Sequence, residues 1–433
     1  MVAQATRQAR LPFLAPDRLR RAQERRVRAT VVYAHAYVPY YRETMSKLAL
    51  EPADFCSAGD LAQLPVIERE QLQRDPEYFL SEQWPAEACV VLHSGGSTGA
   101  PVTVFRDPES LFMEGAHYER LRSVIARLAG RRFRYRDAHI LPQDGSTDRT
   151  VSALRERTQL PRGLRVQLRT FPLRPPAELI PELNAFRPDV ISAYGSYLDA
   201  LFTHIREHRP SFAAPRVIMY GADSISPTVR AWVRDTLGIE VLSSYGAIEA
   251  PHIGFECERH RGYHLNADLH PVRLLVSDGS EAAPGTAGEV VVSNLVNRGT
   301  VLLNYRVGDI ATILPEPCPC GRSLALCSYL DRTKVAWLDL GGSEPVHAQT
   351  LRLVLHQEPE IWRYQIVQQA QSSLLLRLVP SPDCDQQATA GRIVRRYREG
   401  LGRHLAVAVE FVEDLPRGPS GKVQPIVCLP PNG

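Results

Sequence analysis

Lysine is nearly missing from this chain: of 51 cationic residues only Lys47, Lys334 and Lys422 are lysine, and arginine supplies the rest. The two side chains are interchangeable on a solvated surface but not where a compact, flexible point charge is needed, so each surviving lysine raises the question of its place. Also absent is any apolar run of about eighteen residues, which excludes a membrane-spanning helix on hydropathy. Met1 to Arg10 is polar, without the apolar core of a signal peptide, and the expected location is the cytoplasm. Neither tail is strongly charged, and a formal net charge of +3 lacks the concentrated basic charge of a dedicated nucleic-acid binder. Eight cysteines in 433 residues are too sparse for a disulfide scaffold, which leaves them as thiols or metal ligands.

What remains is an ordinary globular composition, 44% hydrophobic and 23% charged, in a chain long enough for two or three domains. Residues 17–46 mix arginine clusters with apolar positions at helical spacing until Val38-Pro39 breaks the pattern, which reads as a surface helix. The basic stripe from Arg131 to Arg136 reads as a solvated face, or, if it borders a cleft, as a grip for a nucleotide-like phosphate. From about residue 88, apolar runs at 89–92, 189–194, 216–220 and 240–245 alternate with helical stretches, and each ends in small residues. An α/β layer structure of this kind puts Tyr194-Gly195-Ser196, Gly221-Ala222-Asp223 and Tyr245-Gly246-Ala247 at strand C-termini, where open α/β sheets bind ligands. Residues 262–315 turn to alternating β segments with Asp278-Gly279 and Pro284-Gly285 turns, a smaller antiparallel region. The last hundred or so residues read as a separate small α+β domain.

Directly after the strand at 89–92 comes His93-Ser94-Gly95-Gly96-Ser97-Thr98-Gly99-Ala100-Pro101-Val102. Glycines let successive backbone N–H groups face one anion and the hydroxyls add donors without bulk, so the loop suits phosphate, although by itself it is also what a plain loop looks like. It lacks the lysine that closes a P-loop, which excludes that class of NTPase. The loop resembles the Ser-Gly-Thr-Thr-Gly-x-Pro signature of adenylate-forming enzymes, and four more segments match in the same order. Tyr245-Gly246-Ala247-Ile248-Glu249 resembles Tyr-Gly-x-x-Glu, and Tyr305-Arg306-Val307-Gly308-Asp309 resembles Tyr-Arg-Thr-Gly-Asp. Asp331-Arg332-Thr333-Lys334 with Gly341 resembles the interdomain hinge, and Pro416 to Lys422 resembles Pro-Arg-Thr-x-x-Gly-Lys. Within the superfamily, Val38 to Arg42, Gly254 to Cys257, Gly262-Tyr263-His264 and Cys318 to Arg322 are similar to the phenylacetate–CoA ligase branch and its relatives in capsule and natural-product pathways.

The resemblance implies a core at residues 1–330 and a mobile C-terminal domain at 331–433 that carries the catalytic lysine. It implies activation of a carboxylic acid by ATP to an acyl-adenylate, then transfer to coenzyme A or a carrier phosphopantetheine. Lys422 would bridge carboxylate and α-phosphate, and Glu249 would hold Mg²⁺, a hard ion that takes carboxylate oxygens. Ser94 to Gly99 (Ser94, Gly95, Gly96, Ser97, Thr98, Gly99) would hold phosphates, Gly221, Ala222 and Asp223 would border adenine beside Tyr245 and Gly246, and Asp309 would bind the ribose near Arg332. Read singly, Glu249 and Asp309 would be surface carboxylates; the ordered set gives them roles. Lys334 falls on the hinge, which needs backbone freedom rather than charge. Tyr194, Tyr197, Tyr220, Ala247 and Ile248 would line an acyl pocket suited to a flat or aromatic acid.

The match has departures. Ala100 and Val102 stand where related loops often carry lysine, Ile248 replaces a Thr or Ser, and Gly95 replaces a serine. An amine or similar acceptor, transfer of AMP to a cofactor, and a degenerate homologue acting as a scaffold are the other readings. An acyl carrier protein is a possible partner, and monomer and dimer are both open. Cys318-Pro319-Cys320 with Cys257 and a histidine would make a four-ligand structural zinc site in a β region at about 255–330, with His264 preferred over His260 and Cys327 in reserve. The resemblance implies the same set, since the branch often carries such a zinc.

Overall fold

The computed structural model describes all residues except 1, 94–101, 143–144, 158–165, 277, 329–336, 342–345, 348–350, 352–353, 356–357, 359, 403, 417–422 and 429–433. Helices α1 (Val2–Arg10), α2 (Pro16–Tyr37), α3 (Pro39–Lys47) and α4 (Arg69–Arg74) open the chain. Pro39 starts α3, where its missing N–H costs nothing, and so separates it from α2. The expected helix at 17–46 is thus two. A hairpin of β1 (Val90–His93) and β2 (Thr103–Arg106) follows, then α5 (Pro108–His117) and α6 (Glu119–Leu128).

Among the described residues the body is a single sheet of eleven strands. Its parallel half holds β3 (Arg136–Leu141), β4 (Gln167–Pro172), β5 (Val190–Tyr194), β6 (Val217–Gly221) and β7 (Glu240–Tyr245), in the order β4-β3-β5-β6-β7. The crossovers are α7 (Ser146–Arg157), α8 (Pro176–Phe186), α9 (Gly195–His208) and α10 (Pro227–Leu237). Strand direction then reverses through β8 (Gly254–Glu256), β9 (Tyr263–Leu265), β10 (Val272–Leu275), β11 (Ala287–Val292), β12 (Tyr305–Leu314) and β13 (Leu326–Cys327). The antiparallel region expected from the turn signals is therefore an extension of the parallel sheet, joined at β7–β8. Parallel strands need long crossovers whereas antiparallel ones need only turns, which is why the sequence pattern changes where the direction does.

Local signals agree with these boundaries. Ser226 caps α10 by accepting from the Val229 amide at 3.3 Å, Pro227 fills the first turn, and Gly238 ends it at φ 64°. Gly195 joins β5 to α9 with no room for a side chain, since a Cβ there would lie 2.3 Å from the Ser224 carbonyl carbon. Beyond a short pair, β14 (Trp337–Leu338) and β15 (Val346–His347), lies a four-stranded sheet of β16 (Ile361–Ala370), β17 (Ser373–Pro380), β18 (Ala406–Phe411) and β19 (Ile426–Cys428), ordered β18-β17-β16-β19. Helix α11 (Gln386–Leu401) packs on β18, and this α+β unit buries its own apolar cluster around Ile366, Leu376, Ile393 and Tyr397. Among the described residues no helix is long and apolar enough to cross a membrane.

Between α5, α6 and the antiparallel strands sits a buried basic cluster. Arg120 bonds Asp268, Asn266 and Gln8, and His117, His252 and His270 lie within reach of its charge. Burial, then Arg106 and Arg120, pushes His252 down to about 4, and burial holds His117 and His270 well below the usual value of 6.5. The folded chain therefore binds fewer protons than the unfolded chain below the ordinary histidine range. Stability is full above about pH 6.5 and is lost as pH falls through the window down to about 4. A Tm that stays flat from pH 7 to 4.5 would contradict this; a steep fall is expected, lessened in His252→Asn.

Candidate active site

Three parallel strands end side by side. Tyr194 is paired in register with Gly221, and Tyr220 with Ser243 on β7, one residue short of Ser244-Tyr245. The turn after β6 is tight: Ala222 has φ 67°, and the Asp223 amide donates to the Gly221 carbonyl at 2.8 Å. A non-glycine residue in that region is held there by its surroundings, and such strain collects at functional sites. Here the surroundings are the first turn of α9, where the Ser196 hydroxyl donates to Asp223 at 2.5 Å and its amide to the other oxygen at 3.2 Å. Burial and then Asp223 push the Tyr194 phenol up to about 12, so it stays a neutral donor.

Glu249 lies just past β7 and is buried, at 5% exposure. The Tyr305 hydroxyl donates to its Oε1 at 2.8 Å, and an Arg69 guanidinium nitrogen lies 3.7 Å from the same oxygen. Two further groups fix the backbone of this turn: Asn294 donates to the Glu249 carbonyl at 2.8 Å, and buried Arg106 donates to the Ile248 carbonyl while pairing with Glu114. A carboxylate held through one oxygen leaves the other for a hard cation, so Glu249 fits a Mg²⁺ ligand. Arg69, from α4, stands outside every motif and was not anticipated. The only signal for it in the sequence is a capping box, Glu68 with Gln71, that starts its helix.

The other nominated residues divide. Asp309 lies half-buried on β12 after Gly308, whose φ is 85°. Tyr194, Gly246, Ala247 and Ile248 are partly exposed around the strand ends, and Tyr245 is buried. Tyr197 and Tyr220 sit in the apolar core under the parallel sheet; the Tyr197 hydroxyl donates to the Arg174 carbonyl at 2.7 Å, and the Tyr220 oxygen accepts from Arg230 at 2.8 Å. Their polar ends are therefore engaged inside the fold. Val102 is fully buried. Ser94, Gly95, Gly96, Ser97, Thr98, Gly99, Arg332, Lys334 and Lys422 lie outside the described residues.

The cysteines converge as a second centre. Sulfurs of Cys257, Cys318 and Cys320 and a ring nitrogen of His264 all lie within 4.8 Å of one another. Cys257 Sγ is 3.7 Å from Cys318 Sγ, and Cys320 Sγ is 3.3 Å from His264 Nε2. Tetrahedral zinc with Zn–S bonds of about 2.3 Å requires S–S edges of roughly 3.8 Å, so this donor set fits zinc in a closed, structural site. Backbone amides of Arg259 and Arg322 donate to Cys257 and Cys320, both at 3.4 Å, as thiolates require. Burial pushes the Cys257 and Cys318 thiols up; burial acts the same way on Cys320, but the Arg322 amide and guanidinium outweigh it and bring that thiol down.

His260 stands apart from this group. Its Nδ1 lies 2.9 Å from Glu256 and its Nε2 3.2 Å from Glu240, so both ring nitrogens are taken. Cys327 is excluded by strand geometry: it pairs with Tyr263 while Leu326 pairs with His264, and alternate residues of a strand face opposite sides. The reserve cysteine thus faces away from the four ligands, and a Cβ at Gly262 would collide with its carbonyl at 2.2 Å.

Residues 344–428 match the CapK C-terminal domain. The chain is 25% identical to the phenylacetate–coenzyme A ligase of Thermus thermophilus, covering 98% of this chain and 99% of that one. Phenylacetate–coenzyme A ligases are its homologues. A second, from Escherichia coli, is 26% identical over 69% of this chain and 68% of its own length. The fold is that of adenylate-forming acyl-CoA ligases. A 2-hydroxyisobutyryl-CoA ligase in its postadenylation state, at 16% identity, covers 97% of this chain and 91% of its own with a TM-score of 0.74. In the thioesterification state the same neighbour, at 17% identity and again 97% and 91% coverage, superposes with a TM-score of 0.61.

Proposed function

We propose that this homologue of phenylacetate–coenzyme A ligases activates a small, flat carboxylic acid with ATP and passes the acyl group to the thiol of coenzyme A. The observation that carries the reading is Glu249, buried at the end of β7, fixed by Tyr305 and faced by Arg69 at 3.7 Å. In the first step a substrate carboxylate oxygen bonds the α-phosphorus of ATP as the bond to pyrophosphate breaks. In the second, the thiol sulfur bonds the acyl carbon and AMP leaves with the bonding electrons. Both need cations and aligned donors where negative charge accumulates. Lys422 supplies the mobile charge and Arg69 a second one, useful in a chain whose phosphate loop has Ala100 and Val102 instead of lysine.

Mg²⁺ bound at Glu249 would neutralise phosphate charge. Zinc on Cys257, His264, Cys318 and Cys320 would tie the loop after β12 to the turn after β8. Tyr194, Ala247 and Ile248 are the partly exposed residues from which the acyl pocket is built, and Asp223 and Asp309 serve adenine and ribose. Residues 331–433 turn about the segment containing Lys334 between the steps, withdrawing Lys422.

Pyrophosphate release with a panel of small aromatic and aliphatic acids, with and without coenzyme A, tests the reading. Release that requires an acid, with thioester formed when coenzyme A is present, is expected; no release with any acid would sink it. Arg69→Ala is expected to lower kcat/KM for ATP roughly tenfold, about 1.4 kcal/mol, with less effect on the KM for the acid.

A further inference from the structure

The C-terminal α+β unit meets the parallel body through the start of β16. Trp362, which is buried, lies under the Arg206 guanidinium of α9 at 4.0 Å, and Trp232 of α10 flanks the same guanidinium at 5.8 Å. Burial draws the Arg206 pKa down, while the Asp383 charge, from the loop after β17, opposes this. Next to it Arg363, only 5% exposed, pairs with Asp414 of its own unit and places its charge near Asp199 of α9. Asp199 in turn accepts from the Ser226 amide and hydroxyl that start α10, at 2.9 and 3.0 Å. Helix α9 therefore presents a cation and an anion to a tryptophan and a cation of the C-terminal unit, with Trp232 of α10 beside the cation.

The contact also carries a penalty. Trp362 Nε1 and Arg363 Nε and Nη1 are buried with no hydrogen-bond partner among the described residues. A permanent interface would satisfy such donors, because each is desolvated without return. Attraction that depends on orientation, set against donors that water would satisfy on opening, suits a contact that is made and broken.

We propose that Arg206 and Trp362, backed by Asp199 and Arg363, are positioning residues that hold the C-terminal unit in the arrangement described here for one half-reaction and release it for the other. The inference rests on the two-step reading given above. Arg206→Ala removes a partly exposed side chain and should fold. A partly desolvated cation–π contact is worth enough that one of the two half-reactions, acid-dependent ATP–pyrophosphate exchange or thioester formation from supplied acyl-adenylate and coenzyme A, should fall roughly five- to thirtyfold. The other half-reaction should hold or rise, and Arg206→Lys, which keeps a cation over the ring, should recover most of the lost rate. Equal losses in both half-reactions, or no loss in either, overturn the proposal. If the unaltered chain shows no exchange with any acid, the two-step reading has failed, and small-angle scattering decides the contact by itself. Arg206→Ala should then give a larger radius of gyration than the parent chain, and identical profiles overturn the contact's role; Trp362→Phe serves as the second variant for either measurement.

Discussion

Replacing Lys422 by arginine is expected to lower acyl-adenylate formation by a factor of about 10² to 10³, although arginine is by far the commoner cation in this chain. The crowded α-phosphorus and the incoming carboxylate each bring negative charge, and a compact ammonium on a flexible stem can sit between them. A planar guanidinium is wider and more weakly hydrated, with its donors fixed in a fork. Thioester formation from supplied acyl-adenylate should survive in both Lys422→Arg and Lys422→Ala, because in the proposed two-step cycle the residue is withdrawn by then. Measuring the two half-reactions separately is decisive, and near-normal exchange in Lys422→Arg would remove the lysine from its assigned role.

Loss of the cysteine centre should be as severe, but in stability rather than rate. Elemental analysis of the purified chain is expected to give one zinc per molecule. Cys320→Ser should lose the metal and lower Tm by about 10 °C or more, given that structural zinc is worth roughly 10 kcal/mol in small domains and that a chain of this size loses a few degrees per kcal/mol. Two controls separate metal loss from general damage. Cys327→Ser and His260→Ala should both keep the zinc, because Cys327 faces the opposite side of its strand and His260 is held between Glu256 and Glu240. A zinc-free parent chain, or zinc lost in Cys327→Ser but kept in Cys320→Ser, would contradict the ligand assignment.

Much of the molecule is legible in the sequence for local reasons. Apolar runs ending in small residues mark β5, β6 and β7, because a buried parallel strand is continuous in hydrophobicity and its C-terminal turn needs small or flexible residues. The Cys-x-Cys loop, the Tyr-Gly-x-x-Glu segment and the Gly/Ser loop are likewise local. Side-chain direction is less legible. Tyr197 and Tyr220 are close in sequence to strand ends, yet their hydroxyl oxygens bond Arg174 and Arg230 within the fold, a matter of side-chain direction that spacing alone leaves open.

By itself the sequence determined the layer order, the place of the strand ends, the homology to phenylacetate–coenzyme A ligases and the pool of candidate metal ligands, since all follow from patterns within a few tens of residues. Tertiary structure alone decided which histidine joins the three cysteines, that the antiparallel strands continue the parallel sheet, and that Arg69 stands beside Glu249. It also decided that Arg206 lies on Trp362. These pairs are 180 and 156 residues apart in the chain, and no local periodicity relates side chains that only the folded backbone brings within 4 Å.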